Sequence, residues 1–265
     1  MYAQTPRISL ANANQLFQNA GNVAQGWRTD SYRSITDGST TSIHILAIDY
    51  RGYGLSTGFP TEEGIITDGI ATVDWAIHVA KVPSNRIVIL GQSLGTAVTS
   101  AVVEHFALKG VQFAGVVIVA AFTDLPTLLT TYSIGGYIPI LSPLRRSPTI
   151  QRQFTGRIID KWPSATRLAN FVRTSKRVRL FIIHARDDFE IPCGHSDALF
   201  IATANATTDG GMDIALIEKM KARSTVEMAD GAFVSTWKAG ENKIIREEMV
   251  AYGGEYSKTL FRNPC

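Results

Sequence analysis

Apolar residues along the chain form short continuous runs that alternate with longer stretches of helical spacing. The runs are rich in β-branched residues, which is typical of parallel strands covered on both faces. Strands are predicted at 42–49, 86–90, 113–122 and 178–185. Helices are predicted at 60–82, 94–108, 195–206 and 213–223, and Thr61 followed by acidic residues supplies a cap for the first of them. This alternation predicts an α/β fold with a doubly wound, mostly parallel sheet.

Three segments depart from the alternation. Residues 1–16 show no strand-like pattern, so we expect the sheet to lack its first strands and to have an open edge near residue 42. Residues 123–176 are divided into short pieces by proline and glycine, which favours a helical insertion lying over the active-site edge of the sheet. Residues 243–254 are interpreted as a last strand, although Ile245, Glu247 and Met249 alternate poorly.

Length and composition favour one domain over residues 1–265, because 45% hydrophobic residues suffice for one large core. Charged residues make up 18% of the chain and the net charge is +3, which argues against disorder and against nucleic-acid binding. The two cysteines lie far apart, which fits a reducing compartment. Neither a signal peptide nor a run of apolar residues long enough to span a membrane is visible, so a cytoplasmic or membrane-peripheral location is expected.

Positive charge is concentrated between residues 145 and 179, where Asp160 is the one acidic residue. We call this segment the basic band; its cations are Arg145, Arg146, Arg152, Lys161, Arg157, Arg167, Arg173, Lys176, Arg177 and Arg179. It is either a solvated face of the insertion or a surface that attracts anionic lipid headgroups or substrates.

Residues 91–95 read Gly-Gln-Ser-Leu-Gly and match the pattern of a nucleophile elbow between a strand and a helix. Small residues on both sides of Ser93 allow the sharp turn that exposes a catalytic hydroxyl. The alternative is a glycine-rich turn in which Ser93 caps the helix. In an elbow, the Leu94 N–H lies where it can stabilise an oxyanion. A second donor is expected from the turn at 18–22, with Asn19 as the candidate.

The acid of a serine triad should follow a later strand. The strand predicted at 178–185 leads into Asp187 and Asp188, and Asp188 is our first choice, with Asp187 as a substitute. Asp124, just after the strand predicted at 113–122, is a further candidate. A turn or capping role is the alternative for each of these aspartates.

The chain resembles the α/β-hydrolase serine hydrolases, nearest the lysophospholipid and monoacylglycerol lipases of the abhydrolase-domain group. The matching segments are AGNVAQGWR, AIDYRGYGLSTGFPTEEG, LGQSLGTA, HARDDFEIP and AYGG. The resemblance implies a Ser–Asp–His triad with Ser93 as nucleophile and Asp188 as acid, and hydrolysis of lipid or other acyl esters or thioesters. It also implies structural roles for Asp49 and Arg51, and no metal ion or organic cofactor.

The sequence departs from this family at two places. The family enters its oxyanion loop as HGNAGN, where this chain reads FQNAGN, and its catalytic histidine follows two glycines, where this chain has Glu255. A carboxylate with a pKa near 4.3 is a poor acceptor for a serine proton at neutral pH. The chain has five histidines, at positions 44, 78, 105, 184 and 195. None follows the last strand, where the base is expected; a packed or surface imidazole is the alternative for each, and His195 is the substitute-base candidate.

The sequence is therefore compatible with two functions. The first is a serine ester hydrolase whose activity is impaired at the position of the base. The second is a catalytically silent hydrolase-fold protein that binds a lipid or a partner. A truncated isoform or a misjoined gene model is one hypothesis that accounts for both departures.

Overall fold

The computed structural model describes residues 14–18, 23, 27–37, 43–131, 133–134, 138–139 and 158–253. The strands are β1 (Asn14–Gln18), β2 (His44–Ala47), β3 (Ile87–Gln92), β4 (Gly115–Val119), β5 (Ser133–Ile134), β6 (Ile138–Pro139), β7 (Val178–Ala185), β8 (Thr225–Glu227), β9 (Phe233–Ala239) and β10 (Lys243–Val250). The helices are α1 (Trp27–Thr36), α2 (Glu62–Asp74, continued by a π-helical turn at Trp75–Val79), α3 (Leu94–Leu108), α4 (Leu125–Thr131), α5 (Ser164–Thr174), α6 (Gly194–Asn205) and α7 (Ile214–Ser224).

Eight of these strands form one mixed sheet in the order β2-β1-β3-β4-β7-β10-β9-β8. The first six strands in that order run parallel to their neighbours, and β9 and β8 join antiparallel at the far side. The predicted α/β class with a mostly parallel sheet is therefore confirmed. β5 and β6 pair separately as a two-stranded ribbon.

The central strands and their covering helices follow the sequence pattern closely. β7 spans 178–185 and α3 spans 94–108, as predicted. Thr61 caps α2, since its Oγ1 accepts a hydrogen bond of 3.2 Å from the Gly64 N–H. The core lies around the central strands, where it includes Ile87, Ile89, Ile118, Leu180 and Ile182.

The end of the region in which the sequence shows no strand-like pattern forms part of β1. The expected open edge near residue 42 is found in the described sheet, where β2 is the outermost strand. β1 begins at Asn14 and pairs in parallel with β2 on one side and with β3 on the other. Its sequence, NQLFQ, has no alternation that would predict a strand, so the two neighbouring strands account for its conformation. The hairpin formed by β8 and β9 and the helix α1 were not predicted either.

The predicted last strand is confirmed as β10 over Lys243–Val250, although its residues alternate more regularly in burial than the sequence pattern indicated. Ile245, Glu247 and Met249 are all buried, and the residues between them are less so, which is the regular period of a strand. Glu247 can occupy the buried face because the Lys221 ammonium of α7 forms an ion pair with its carboxylate.

The predicted insertion at 123–176 contains α4, the short ribbon and α5. Helix α5 packs against α3 and buries Leu168 and Val172, so this last part of the segment belongs to the layer that covers the sheet. Residues 132, 135–137 and 140–157 of the insertion lie outside the described residues.

Candidate active site

Two predicted site residues follow parallel strands that end at the carboxyl edge of the sheet. Ser93 comes directly after β3, and Asp188 lies three residues after β7, with β4 between the two strands. The register pairs Gln92 with Val119, and Val119 with Ile183. Adjacent strands lie about 4.8 Å apart, so the ends of β3 and β7 are separated by roughly 10 Å.

Ser93 has the backbone strain of a nucleophile elbow. Its φ is 52° and its ψ is −125°, a conformation that costs a residue with a side chain about 1–3 kcal/mol. The Ser93 N–H donates to the carbonyl of Val119 at 3.0 Å, which fastens the turn to β4. The side chain is only partly buried and forms no capping hydrogen bond with α3. This observation favours the elbow over the alternative of a capping serine.

The turn around Ser93 has no room for a side chain at position 91. A Cβ on Gly91 would lie 2.4 Å from the carbonyl oxygen of Gly95 and 2.5 Å from Thr99 Oγ1. Thr96, which sequence reasoning missed, donates to the Ser93 carbonyl through both its hydroxyl, at 2.6 Å, and its N–H, at 2.9 Å. Its position in the first turn of the predicted helix, three residues after Ser93, was the available signal. We call residues 91–99 the nucleophile corner.

Leu94 is the first residue of α3, where a backbone N–H has no acceptor inside the helix. This placement agrees with the predicted oxyanion role. Asn19, the candidate for the second donor, lies outside the described residues.

Asp49 and Arg51 hold the turn that follows β2. Asp49 Oδ1 accepts from the Val23 N–H at 2.7 Å, and its Oδ2 accepts from the Leu55 N–H at 3.4 Å. Arg51 binds Asp68 through its guanidinium, with a shortest distance of 2.7 Å, and through its backbone N–H at 2.9 Å. These contacts support the structural roles implied by the family resemblance.

Asp188 is buried, and its two carboxylate oxygens differ in their hydrogen bonding. Oδ1 accepts from the N–H groups of Glu190 and Ile191, at 3.0 and 2.9 Å. Oδ2 is buried and has no hydrogen-bond partner among the described residues. His184 Nε2 lies 3.5 Å from Oδ2, but it lies 2.8 Å from the carbonyl oxygen of Ile191, which needs a donor. His184 Nδ1 lies 2.5 Å from Ser196 Oγ, so both nitrogens of this ring are engaged.

The chain that follows β10 is fastened to the loop that carries Asp188. Asp187 Oδ1 accepts from the Gly253 N–H at 2.9 Å, and the Arg186 N–H donates to the carbonyl of Val250 at 2.8 Å. Asp187 therefore has a tethering contact in the structure. Glu255 lies outside the described residues, two positions beyond this tether. We call residues 184–196 and 250–253 the acid corner.

The remaining candidate residues have other partners. Asp124 caps α4 by accepting from the N–H and the hydroxyl of Thr127, at 2.7 and 2.8 Å. His195, in the first turn of α6, has Nδ1 3.4 Å from the Thr123 nitrogen and 3.1 Å from Thr123 Oγ1. Burial lowers the pKa of His195, and the nearby His184 lowers it further. The Thr123 N–H donates to His195 Nδ1, so this nitrogen is engaged away from Ser93.

The other histidines lie on separate elements. His44 is in β2, at the edge of the described sheet, and His78 is an exposed residue of the π-helical turn with Asp74 nearby. His105 is near the carboxyl end of α3, far along the helix from Ser93, and burial lowers its pKa.

A cavity of about 490 Å³ lies beside the acid corner, between the loop after β7 and the β8–β9 hairpin. Its lining includes Arg186, Cys193, Phe233 and Met249 but neither Ser93 nor Asp188. In the part of the chain that the structure describes, no cluster of side chains has the composition of a metal site. No helix there has the length and apolar character needed to cross a membrane.

The described cations at the end of the basic band lie away from the site. Arg173 is at the end of α5. Lys176 and Arg177 directly precede β7 and Arg179 is its second residue, so these three lie at the amino edge of the sheet. Among residues 158–253, none of these four forms an ion pair with an acid. Arg145, Arg146, Arg152 and Arg157 lie outside the described residues.

Residues 20–234 match the family model described as the alpha/beta hydrolase family. The chain belongs to this family. It is 30% identical over 186 residues to human Protein ABHD12B, covering 69% of this chain and 47% of that protein. It is 30% identical over 110 residues to Lysophosphatidylserine lipase ABHD12 of Gallus gallus, covering 42% of this chain and 28% of that protein. The resemblance stated from the sequence is confirmed.

The solved structure of an alpha-beta hydrolase from Vibrio vulnificus superposes with a TM-score of 0.58. The superposition covers 93% of this chain and 69% of the Vibrio vulnificus chain at 14% sequence identity, which supports the shared alpha/beta hydrolase fold. The matched part of this chain spans about half the length of the human relative, so that protein contains much sequence without a counterpart in the match.

Proposed function

We propose that this alpha/beta hydrolase is a serine ester hydrolase in which Ser93 is the nucleophile and Asp188 the acid. The observation that carries the proposal is the strained backbone of Ser93, with φ 52° and a side chain that makes no capping bond. Such strain persists where the surrounding structure holds it, and it is concentrated at functional sites. A lipase among the relatives suggests a lipid or other hydrophobic acyl ester as substrate.

In the proposed reaction, Ser93 Oγ attacks the ester carbonyl while a base removes its proton. The oxyanion accepts a hydrogen bond from the Leu94 N–H, and Asn19 is proposed as the source of the second donor. Asp188 Oδ2 accepts from the N–H of the base and holds it in the correct tautomer. Water then hydrolyses the acyl–enzyme by the same proton transfers.

We further propose that Glu255 leaves turnover of this chain impaired. The tether between Gly253 N–H and Asp187 Oδ1 brings the chain beside the acid corner two residues before position 255. A carboxylate there would be repelled by Asp188, and it is a weaker base than imidazole. Loss of one triad member costs several powers of ten in kcat.

The test is labelling by a fluorophosphonate probe, with peptide mass spectrometry to locate the adduct. Glu255→His should raise both the labelling rate at Ser93 and the hydrolysis of a p-nitrophenyl ester by about 10³-fold. Ser93→Ala in the same background should abolish both signals. Correctly folded Glu255→His protein that is not labelled at position 93 would overturn the proposal.

The second candidate is a silent hydrolase-fold protein that binds a lipid or a partner. The buried, unpartnered Oδ2 of Asp188 favours it, since the described acid corner supplies no donor to that atom. This function predicts saturable binding of a fluorescent lysophospholipid without turnover, in the unchanged chain and in Glu255→His alike.

A further inference from the structure

The cavity between the loop after β7 and the β8–β9 hairpin, which we call the hairpin cavity, has no part in the proposed reaction. Neither Ser93 nor Asp188 lines it, and its volume of about 490 Å³ is within the range of about 300–1,000 Å³ that is usual for small-molecule sites. Its lining includes one guanidinium, one carboxylate, one thiol and three large apolar side chains: Arg186, Glu227, Cys193, Met228, Phe233 and Met249.

One wall of the hairpin cavity is a row of side chains on the sheet. Glu227 of β8 pairs with Phe233 of β9, and Phe233 pairs with Met249 of β10, so the three side chains stand beside one another on one face. Met249 is buried, Phe233 is half-buried, and Met228 at the end of the row is 51% exposed. Aromatic and thioether side chains favour contact with an apolar group of a ligand.

Arg186 presents a positioned cation to the cavity. Its Nη1 lies 3.4 Å from the carbonyl oxygen of Gly231 in the hairpin turn. The φ of Gly231 is 75°, and a Cβ at this position would overlap the guanidinium, so the absence of a side chain lets the turn approach Arg186 closely. Among the described residues, no acid forms an ion pair with Arg186.

Glu227 presents the opposite charge to the same cavity. It is exposed, and no cation in the described part of the chain forms an ion pair with it, Arg186 included. Lys221, whose ammonium lies 5.6 Å from the ring centre of Phe233, is already paired with Asp197 and Glu247. A carboxylate and a guanidinium that line one cavity without contacting each other leave space for a group that connects them.

This pair of charges favours a ligand that carries both signs. A carboxylate alone is attracted by Arg186 but repelled by Glu227, and an ammonium alone meets the reverse, whereas a zwitterion is attracted by both. We propose that the hairpin cavity binds a free α-amino acid with a large apolar side chain. Its carboxylate binds Arg186, its ammonium binds Glu227, and its side chain packs against Phe233 and Met249. This site is separate from Ser93 and independent of the proposed function.

The free thiol of Cys193, which lines the cavity and is half-buried, reports whether a ligand is bound. The experiment titrates L-phenylalanine into the unchanged chain and measures the rate of Cys193 alkylation by iodoacetamide, with peptide mass spectrometry to locate the adduct. We expect saturable protection, with alkylation about tenfold slower when the ligand concentration is about ten times its Kd, because an occupied cavity excludes the reagent.

Three analogues of phenylalanine each lack one of its recognised groups. 3-Phenylpropanoate has no ammonium, phenethylamine has no carboxylate, and glycine has no apolar side chain. Each analogue should need about tenfold more ligand for the same protection, since a charge-assisted hydrogen bond or a large apolar contact is lost.

Two substitutions remove the charges from the protein instead. Arg186→Gln and Glu227→Gln should each weaken phenylalanine binding by about tenfold. Arg177→Gln and Glu218→Gln are the matched controls, because both residues are exposed and neither lines the cavity, so binding should be unchanged. A thermal unfolding curve checks that each variant is folded.

Three results overturn the inference. The first is a Cys193 alkylation rate that phenylalanine does not change. The second is equal protection by 3-phenylpropanoate or phenethylamine, which would mean that only one charge, or only the apolar group, is recognised. The third is unchanged phenylalanine binding in folded Arg186→Gln or Glu227→Gln. Because no measurement depends on Ser93, an inactive or unlabelled serine leaves these results fully interpretable.

Discussion

The nucleophile corner and the acid corner follow β3 and β7, two parallel strands of one sheet with β4 between them, yet their polar atoms are partnered to different degrees. At the nucleophile corner, the Ser93 N–H and carbonyl are bound by Val119 and Thr96, and Gly91 leaves the turn just enough space. At the acid corner, Asp188 has one saturated oxygen and one buried oxygen without a partner. Thr99 Oγ1 in the nucleophile corner is also buried without a partner among the described residues. The corners differ in that the unpartnered atom of the acid corner is a carboxyl oxygen rather than a hydroxyl.

A second buried carboxylate, in β10, differs from Asp188 because it has a counterion. The Glu247 side chain is fully buried in β10, and burial raises its pKa while Lys221 lowers it. Hydrogen bonds to Asp197 and Glu247 raise the pKa of Lys221 against the opposing effect of its own burial. Lys221 also lies 4.9 Å from the ring centre of Phe200. The pair joins β10 to α6 and α7.

The largest effect is expected from Lys221→Met, which leaves Glu247 buried without a counterion. Breaking a buried pair from one side costs about 3–5 kcal/mol of unfolding free energy. Urea unfolding measures this loss, and Lys219→Met, an exposed position on the same helix, is the control. A difference of less than about 1 kcal/mol between the two variants would mean that β10 tolerates an unpaired buried carboxylate.

Gly91→Ala should have the next largest effect, because the added Cβ meets the backbone oxygen of Gly95 at 2.4 Å. We expect a loss of about 3 kcal/mol and slower labelling of Ser93 in the Glu255→His background. Gly115→Ala in β4 is the matched control, since its Cβ would meet no atom closer than 3.6 Å. Equal stability and equal labelling in the two variants would contradict the steric account of the elbow.

The same comparison explains what could be predicted from the sequence. The nucleophile corner was predictable because its requirement is local: small residues beside Ser93, between an apolar run and a helix. β1 was not, because it has no alternation and takes its conformation from pairing with β2 and β3. Glu247 was misjudged because the residue that allows its burial, Lys221, is distant in sequence.

The acid corner was predictable only in part. A strand that ends in Asp187 and Asp188 indicates an acid, but the sequence does not show which aspartate turns inward. The two backbone N–H groups on Asp188 and the tether from Asp187 to Gly253 separate the two roles. Both contacts depend on how loops after different strands meet, so no local pattern encodes them.

Asp187→Ala tests the tether and should have a moderate effect. It removes the acceptor of the Gly253 N–H, which should cost about 1.5 kcal/mol of unfolding free energy. In the Glu255→His background, hydrolysis should fall by about tenfold, because the segment that carries the base is less well positioned. Asp213→Ala, which removes the cap of α7, is a control with a stability cost but no expected loss of activity.

Substitutions in the basic band should affect the nucleophile corner and the acid corner least. They test whether the amino edge of the sheet functions independently of the carboxyl edge. Lys176 and Arg177 are exposed at the amino edge, and we propose that they contact anionic lipid headgroups. Replacing both by Glu should weaken sedimentation with phosphatidylserine vesicles by at least about 30-fold, since each basic residue near such a surface contributes about 1 kcal/mol and two are lost. The same charge change at Lys219 and Arg223 of α7 is the control. In the Glu255→His background, neither charge change should alter turnover of a water-soluble ester, because Lys176 and Arg177 lie at the edge opposite Ser93. A loss of turnover confined to the Lys176 and Arg177 variant would show that the two edges are coupled.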